Sequence, residues 1–221
     1  MAGYIVPASR FTIDSWVKNS HFISTIGPAF SVNEAREAIA EITQVHTDAA
    51  HNVPAYLIGY GSSVVAHSSD NGEPSGTAGR PALSVLSGSG LGDVVLVITR
   101  YFGGTKLGTG GLVKAYGNAA RLAVSGVKKA KKVLVHKAYI ECQYNLFDKL
   151  SRLIRQHNGL AVEDTFTDKV RIEFSIPVDN YPALQAGIQE ESNGLISIII
   201  LERDRTALQV VRSAEENNSN V

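Results

Sequence analysis

The sequence predicts an α+β protein of two domains. Three observations predict it. Helical and strand-like hydrophobic periods follow one another along the chain. Two glycine-rich loops punctuate the first part. A basic run, Lys128-Lys129-Ala130-Lys131-Lys132, separates that part from a shorter and more regular second one. The 221 residues are enough for two modest domains, drawn here as 1–130 and 133–203, with 204–221 as a polar, disordered tail.

In chain order, Tyr4, Phe11, Trp16 and Phe22 read as packing residues of an N-terminal β-region. A helix is predicted over 31–45: Ser31 and Glu34 form an S-x-x-E capping box, and Val32, Ala35, Ala38, Ile39, Ile42 and Val45 recur at helical spacing. Residues 54–60 are strand-like, and 64–67 return antiparallel to them through Gly61-Ser62-Ser63. The loop 68–79, SSDNGEPSGTAG, is dense in turn residues. A helix over 80–86 tolerates Pro81 in its first turn. The run 94–100 has the composition of a buried strand. A second loop, GGTKLGTGG, fills 103–111, and a helix over 112–124 turns Leu112, Ala115, Tyr116, Ala119 and Ala123 inward.

The basic run reads as a solvated linker. After it come a strand over 134–143, a helix over 146–157, a hairpin of 160–167 and 169–177, a helix over 181–192 and a strand over 195–202. Both helices end in Asn-Gly, a C-terminal stop. This β-α-β-β-α-β order is the ferredoxin-like plan. Its periodicities predict a core of Val135, Ile140, Leu146, Leu150, Leu153, Ile172, Phe174, Ile176, Leu184, Ile188, Ile196, Ile198 and Ile200.

Charge and composition narrow the function. The 21 Lys+Arg balance 21 Asp+Glu, but 1–132 carries a net +4 and 133–203 a net −3. A mildly basic first half tolerates an anionic partner without identifying nucleic acid. The single cysteine, Cys142, excludes an intramolecular disulfide, fits a reducing cytoplasmic setting, and lies on an alternating strand where a core role is expected. The start MAGYIVPASRF lacks the features of a signal peptide, and apolar runs such as 94–98 are too short to cross a bilayer. The expectation is a cytoplasmic protein with no membrane partner.

The glycine-rich loops are the chemical candidates. A strand–loop–helix segment rich in glycine can cradle an anion on backbone N–H groups. The loop 103–111 is neither a phosphate-binding G-x-x-x-x-G-K-[ST] loop nor a dinucleotide fingerprint, because Gly108 is followed by Thr109-Gly110 and Val113 stands where Gly or Ala is needed. The equally weighted alternative is that the glycines serve turns and close packing. Around the loop, Arg80, Arg100, Lys106 and Lys114, with Gly103, Gly104, Gly108, Gly110 and Gly111, form the candidate anion- or nucleic-acid-binding set. Asp70, Gly72, Glu73, Ser75, Gly76, Thr77 and Gly79 are its candidate second loop. Asp70 and Glu73 lack calcium-loop spacing, and a turn held by side-chain-to-backbone bonds is the favoured reading. The six histidines form no metal-ligand or zinc-protease spacing, so neither metal nor cofactor is expected.

Over 68–117, the string SSDNGEPSGTAGRPALSVLSGSGLGDVVLVITRYFGGTKLGTGGLVKAYG resembles the signature of the IMPACT/YigZ family. Lys18-x-Ser20-x-Phe22-Ile23 and Asp48-Ala49-x-His51, followed by Ala55-Tyr56, extend it upstream, and it covers nearly all of 10–202. The resemblance implies a first domain like domain IV of translation elongation factor G and a second like its ferredoxin-like domain V. It implies a role in translation regulation: eukaryotic members restrain a starvation-activated initiation-factor kinase, and RNA or ribosome binding is suggested for the others by the fold. Two positions depart from the family pattern. Asn71 stands where many members have Asp, and Asn52-Val53-Pro54 replaces a His-Cys-Trp-like stretch.

These readings converge on a non-enzymatic, translation-associated protein that contacts RNA or the ribosome, or a protein of the translation or stress-response machinery. The alternatives are an enzyme for a small phosphorylated substrate, built from His51, Asp70, Glu73 and Arg100, and an adaptor that docks through its second domain.

Overall fold

The eight-residue segment VVLVITRY decides the first half of the molecule. It has no polar alternation, so as a strand it needs cover on both faces. In the computed structural model, which describes residues 3–210, the chain divides into a first unit, Tyr4–Lys131, and a second, Lys132–Leu208. The first contains β1 (Tyr4–Pro7), β2 (Phe11–Val17), β3 (Ser20–Pro28), α1 (Val32–Val45), β4 (His51–Ile58), β5 (Val65–Ser68), α2 (Gly79–Gly88), β6 (Val94–Tyr101) and α3 (Thr109–Gly126). The second contains most of β7 (Lys129–Cys142), then α4 (Tyr144–Gln156), β8 (Leu160–Phe166), β9 (Val170–Pro177), α5 (Tyr181–Glu191) and β10 (Ile199–Val210).

The VVLVITRY segment is β6, the centre of a sheet ordered β2-β3-β6-β4-β5 with every neighbour antiparallel. Leu96 and Ile98 face a core shared with α2 and α3, which supply Leu86, Leu112 and Tyr116. Val95 faces the other way, against Ala35 of α1 and Tyr56. Helices therefore cover both faces. The expected two-layer β-α arrangement is corrected to helices on either side of the sheet, as the continuous apolar run of β6 requires. All five residues predicted to face inward from α3 are buried.

Half of the capping box forms as expected: the Glu34 N–H donates to Ser31 Oγ at 3.1 Å, while Glu34 Oε2 accepts at 3.0 Å from the N–H of Phe30, one residue before the cap, rather than from that of Ser31. In the second unit both Asn-Gly stops are C-terminal motifs in which asparagine takes the left-handed conformation. Asn158 and Asn193 have φ of 60° and 51°. The Gly159 and Gly194 N–H groups then reach back to the Ile154 and Gln189 carbonyls, each at 2.8 Å.

The second five-stranded sheet has the order β1-β7-β9-β8, with β7 antiparallel to β9 and β9 to β8, and β10 also pairs with β7; the second unit's own strands therefore run β10-β7-β9-β8. Val170, Ile172, Phe174 and Ile176 alternate inward against Leu150 and Ile154 of α4 and Leu184 and Ile188 of α5. Of the expected core residues, Leu146, Leu153, Ile198 and Ile200 are only half-buried, the first three packed against the edge of this core.

Two segments differ from expectation. The basic run is not a linker: β7 begins at Lys129, with Ala130 buried between exposed Lys129 and Lys131, a strand alternation that charge had masked. The last strand begins at Ile199 rather than residue 195 and runs to Val210, so 204–210 are strand rather than tail. This strand pairs with β7, itself 14 residues long. The remainder of the predicted tail, 211–221, lies outside the described residues.

Candidate functional site

β3, β4 and β6 meet where β6 ends and the other two begin, because β6 runs antiparallel to both. Arg100 is paired with Phe22 on one side and His51 on the other, and Tyr101 with His21. Both glycine-rich loops reach this end of the sheet.

The loop 68–79 is held by its two carboxylates, each with a separate task. Asp70 accepts from the Gly76, Ala78 and Gly79 N–H groups at 2.7, 3.0 and 2.9 Å. It thus caps the start of α2, whose own N-cap residue, Ala78, offers no side-chain acceptor. Burial opposes the charged form of Asp70, but the three N–H bonds outweigh it and hold the carboxyl below its usual 3.8. The turn itself needs two left-handed residues, Asn71 at φ 45° and Gly72 at φ 84°. Asparagine tolerates that conformation, which accounts for residue 71 locally.

Glu73 turns inward and is 8% exposed. Its Oε1 accepts from Arg100 Nη1 at 2.6 Å and from the Tyr116 hydroxyl at 2.8 Å. Burial first, and then the Glu73 charge, push the Tyr116 phenol far up, so it stays neutral and donates. His51 completes the cluster. A carbonyl can only accept, so the 2.8 Å contact to the Asn71 carbonyl puts a proton on His51 Nδ1 and turns Nε2 toward Glu73, 3.7 Å away.

Arg100 joins this loop to the second one. The guanidinium is 4% exposed, lies 5.5 Å from the centres of the Phe22 and Phe102 rings, and donates from Nη2 to Ser20 Oγ at 3.1 Å. The same hydroxyl oxygen accepts from the Gly103 N–H at 3.4 Å. Gly103 must be glycine, because a Cβ there would lie 1.8 Å from the Asn19 carbonyl oxygen. Arg100 is therefore not an exposed cation for a ligand, as the sequence suggested. Its charge is neutralised inside the unit, where a lone buried charge would be costly.

The remaining candidates are spread over the surface above this cluster. Arg80 is exposed in the first turn of α2 and adds to the attraction on Asp70. Lys106 and Lys114 are exposed, and the Lys106 carbonyl accepts from Lys18 Nζ at 3.5 Å. Gly104 and Gly108 are exposed loop residues, and Gly108 is the N-cap of α3, so Gly110 and Gly111 belong to the first turn of that helix rather than to the loop. Ser75 is exposed, Thr77 Oγ1 donates to the Pro74 carbonyl at 2.7 Å, and Gly79 packs against the Ser69 backbone.

As chemistry, the cluster is a brace, in which Glu73 Oε1 is committed to the Arg100 and Tyr116 donors and Asp70 to backbone N–H groups. Cys142 is buried, and burial, with the charge of Asp164 adding to it, raises its thiol above the usual range, which favours the core role expected of it. Among the described residues no group of three or more His, Cys, Asp or Glu is arranged to hold a metal ion. No described helix is long and apolar enough to cross a membrane.

A second feature at this end of the sheet was not foreseen. Trp16, expected in the core, is 64% exposed. It stacks on His21, ring centres 4.1 Å apart and planes 5° from parallel, and His21 in turn lies 6.2 Å from Tyr101. Alternation along β2 was the available signal: Phe11, Ile13 and Val17 face the core, which puts Trp16 on the outer face with Thr12 and Asp14.

A family model described as the Impact N-terminal domain matches residues 18–124, and one described as a domain of unknown function (DUF1949) matches residues 140–195. The chain is 30% identical over 203 residues to the IMPACT family member YigZ of Escherichia coli (strain K12), covering 91% of this chain and 100% of that protein. It is 34% identical over 203 residues to an IMPACT family member of Haemophilus influenzae, covering 91% and 98%. With the IMPACT family member YvyE of Bacillus subtilis the identity is 33% over 178 residues, covering 80% and 82%. A solved structure described as that of a hypothetical protein superposes with a TM-score of 0.60 at 30% identity, over 91% of this chain and 98% of the other.

Proposed function

Since this chain belongs to the IMPACT family, we propose that it is a non-enzymatic, cytoplasmic regulator of translation that contacts RNA or the ribosome through the glycine-rich loops of its first unit. One observation carries this reading. Glu73 from one loop and Gly103 from the other are tied to the same Arg100–Ser20 pair, which braces the two loops side by side with Lys106 and Lys114 exposed nearby. Braced backbone and exposed cations suit a polyanion, to which lysines contribute affinity whatever the sequence. The strand order β10-β7-β9-β8 supports a ferredoxin-like second domain. A first domain like domain IV of elongation factor G would bring the loops to a ribosomal partner. On this reading the units Tyr4–Lys131 and Lys132–Leu208 are the two domains.

The test is a titration of ribosomes and of structured RNA at several salt concentrations with wild type, Lys106→Ala, Lys114→Ala and the double variant. Arg100 is left intact because it is structural. The expected result is weaker binding and a salt slope shallower by about 0.7 to 0.9 for each phosphate that a removed lysine had neutralised. Unchanged affinity and slope in a folded double variant would overturn the reading.

A further inference from the structure

On the α1 side of the first unit's sheet, three rings stand on successive strands as cross-strand partners: Trp16 on β2, His21 on β3 and Tyr101 on β6. The row is held from the side. Tyr101 donates its hydroxyl proton to Asp48 at 3.0 Å and bonds His46 Nδ1 at 2.9 Å, while His21 Nε2 lies 3.1 Å from Asp14. Asp14 and Asp48 are thus both engaged with ring residues. The row ends on an edge strand, where Trp16 has one face on His21 and is 64% exposed. Two residues further on, in the β2–β3 turn, exposed Lys18 reaches toward the backbone of exposed Lys106.

An exposed indole stacked on one face only, with exposed Lys18 two residues further along the chain, suits a flat ligand that carries negative charge. A protein's branched apolar side chain needs a pocket, whereas an unpaired nucleobase needs only a π-face, and its phosphate needs the lysine. We infer that Trp16, His21 and Tyr101 form a stacking row, on which an unpaired base of single-stranded RNA lies against the open face of Trp16 with Lys18 and Lys106 beside its phosphates. The inference rests on the RNA reading above and adds the class of RNA and the residues that hold its bases.

Trp16 is the sole tryptophan, so its emission reports on this one position. The whole protein is titrated with fluorescein-labelled single-stranded oligoadenylate by anisotropy, and with the unlabelled oligomer by tryptophan emission. Emission should fall along the same saturation curve as anisotropy rises. Trp16→Ala should weaken binding about 5- to 150-fold without changing the salt slope, because a stacked base involves no ion release. Trp16→Phe should recover most of the affinity, and a fully paired RNA duplex should leave the emission unchanged. If anisotropy shows binding that depends on Lys106 while emission stays constant and Trp16→Ala binds like wild type, the row falls and the RNA reading stands. If neither single-stranded nor structured RNA nor ribosomes bind, both fall. If emission responds only to ribosomal protein freed of RNA, the row is a protein contact and the inference is wrong.

Discussion

Glu73 and Arg100 stand 27 positions apart and meet at 2.6 Å inside the first unit. Removing one partner leaves the other as an uncompensated buried charge, which typically costs about 3–5 kcal/mol. Glu73→Ala should therefore lower the urea midpoint sharply. The double variant Glu73→Leu, Arg100→Met, which removes both charges, should recover much of that loss. Losses that simply add in the double variant would mean that the pair is not coupled. At this scale the sequence was legible in kind but not in pairing. It offered Asp70 and Glu73 as turn residues or as a carboxylate pair, and the turn reading holds for Asp70. Nothing local in it aims Glu73 at Arg100, because that contact depends on the registers of β6 with β3 and β4. Trp16 shows the converse: its surroundings were readable from a two-residue period, but its hydrophobicity suggested burial.

Caps and stops were the most readable features of the elements, since each is a short-range bond between a side chain or glycine and nearby backbone. The Ser31 cap of α1 is one such bond, and Ser31→Ala should cost about 1 kcal/mol in thermal or urea unfolding. Ser31→Asp should retain the stability, and equal loss in both variants would show that the hydroxyl is not the cap. Strand limits were harder to read. The charges of 128–132 concealed the alternation that starts β7, and the run SIIIL suggested a strand start that lies four residues too early. Both errors concern pairing with distant backbone, which a local window does not contain.

In the whole molecule, the second unit has a core of its own, from Ala138 to Ile196, joined by Leu146, Leu153 and Ile198. Residues 132–221 expressed alone should accordingly give helical and strand signal by circular dichroism and a single cooperative urea transition; a gradual, non-cooperative loss of signal would contradict an autonomous unit. The first unit is built differently. β2 with β3 and β4 with β5 are local hairpins, and each is completed only by β6. During synthesis, a chain that has emerged as far as Ile58 carries β3 and β4 with their inner edges open. They remain so until Tyr101 has emerged as well, roughly 2 to 9 seconds later at ordinary elongation rates. For that interval two strand edges are available to any neighbouring chain, so a pause in elongation during it would be the point at which newborn copies of this protein are most easily lost to aggregation.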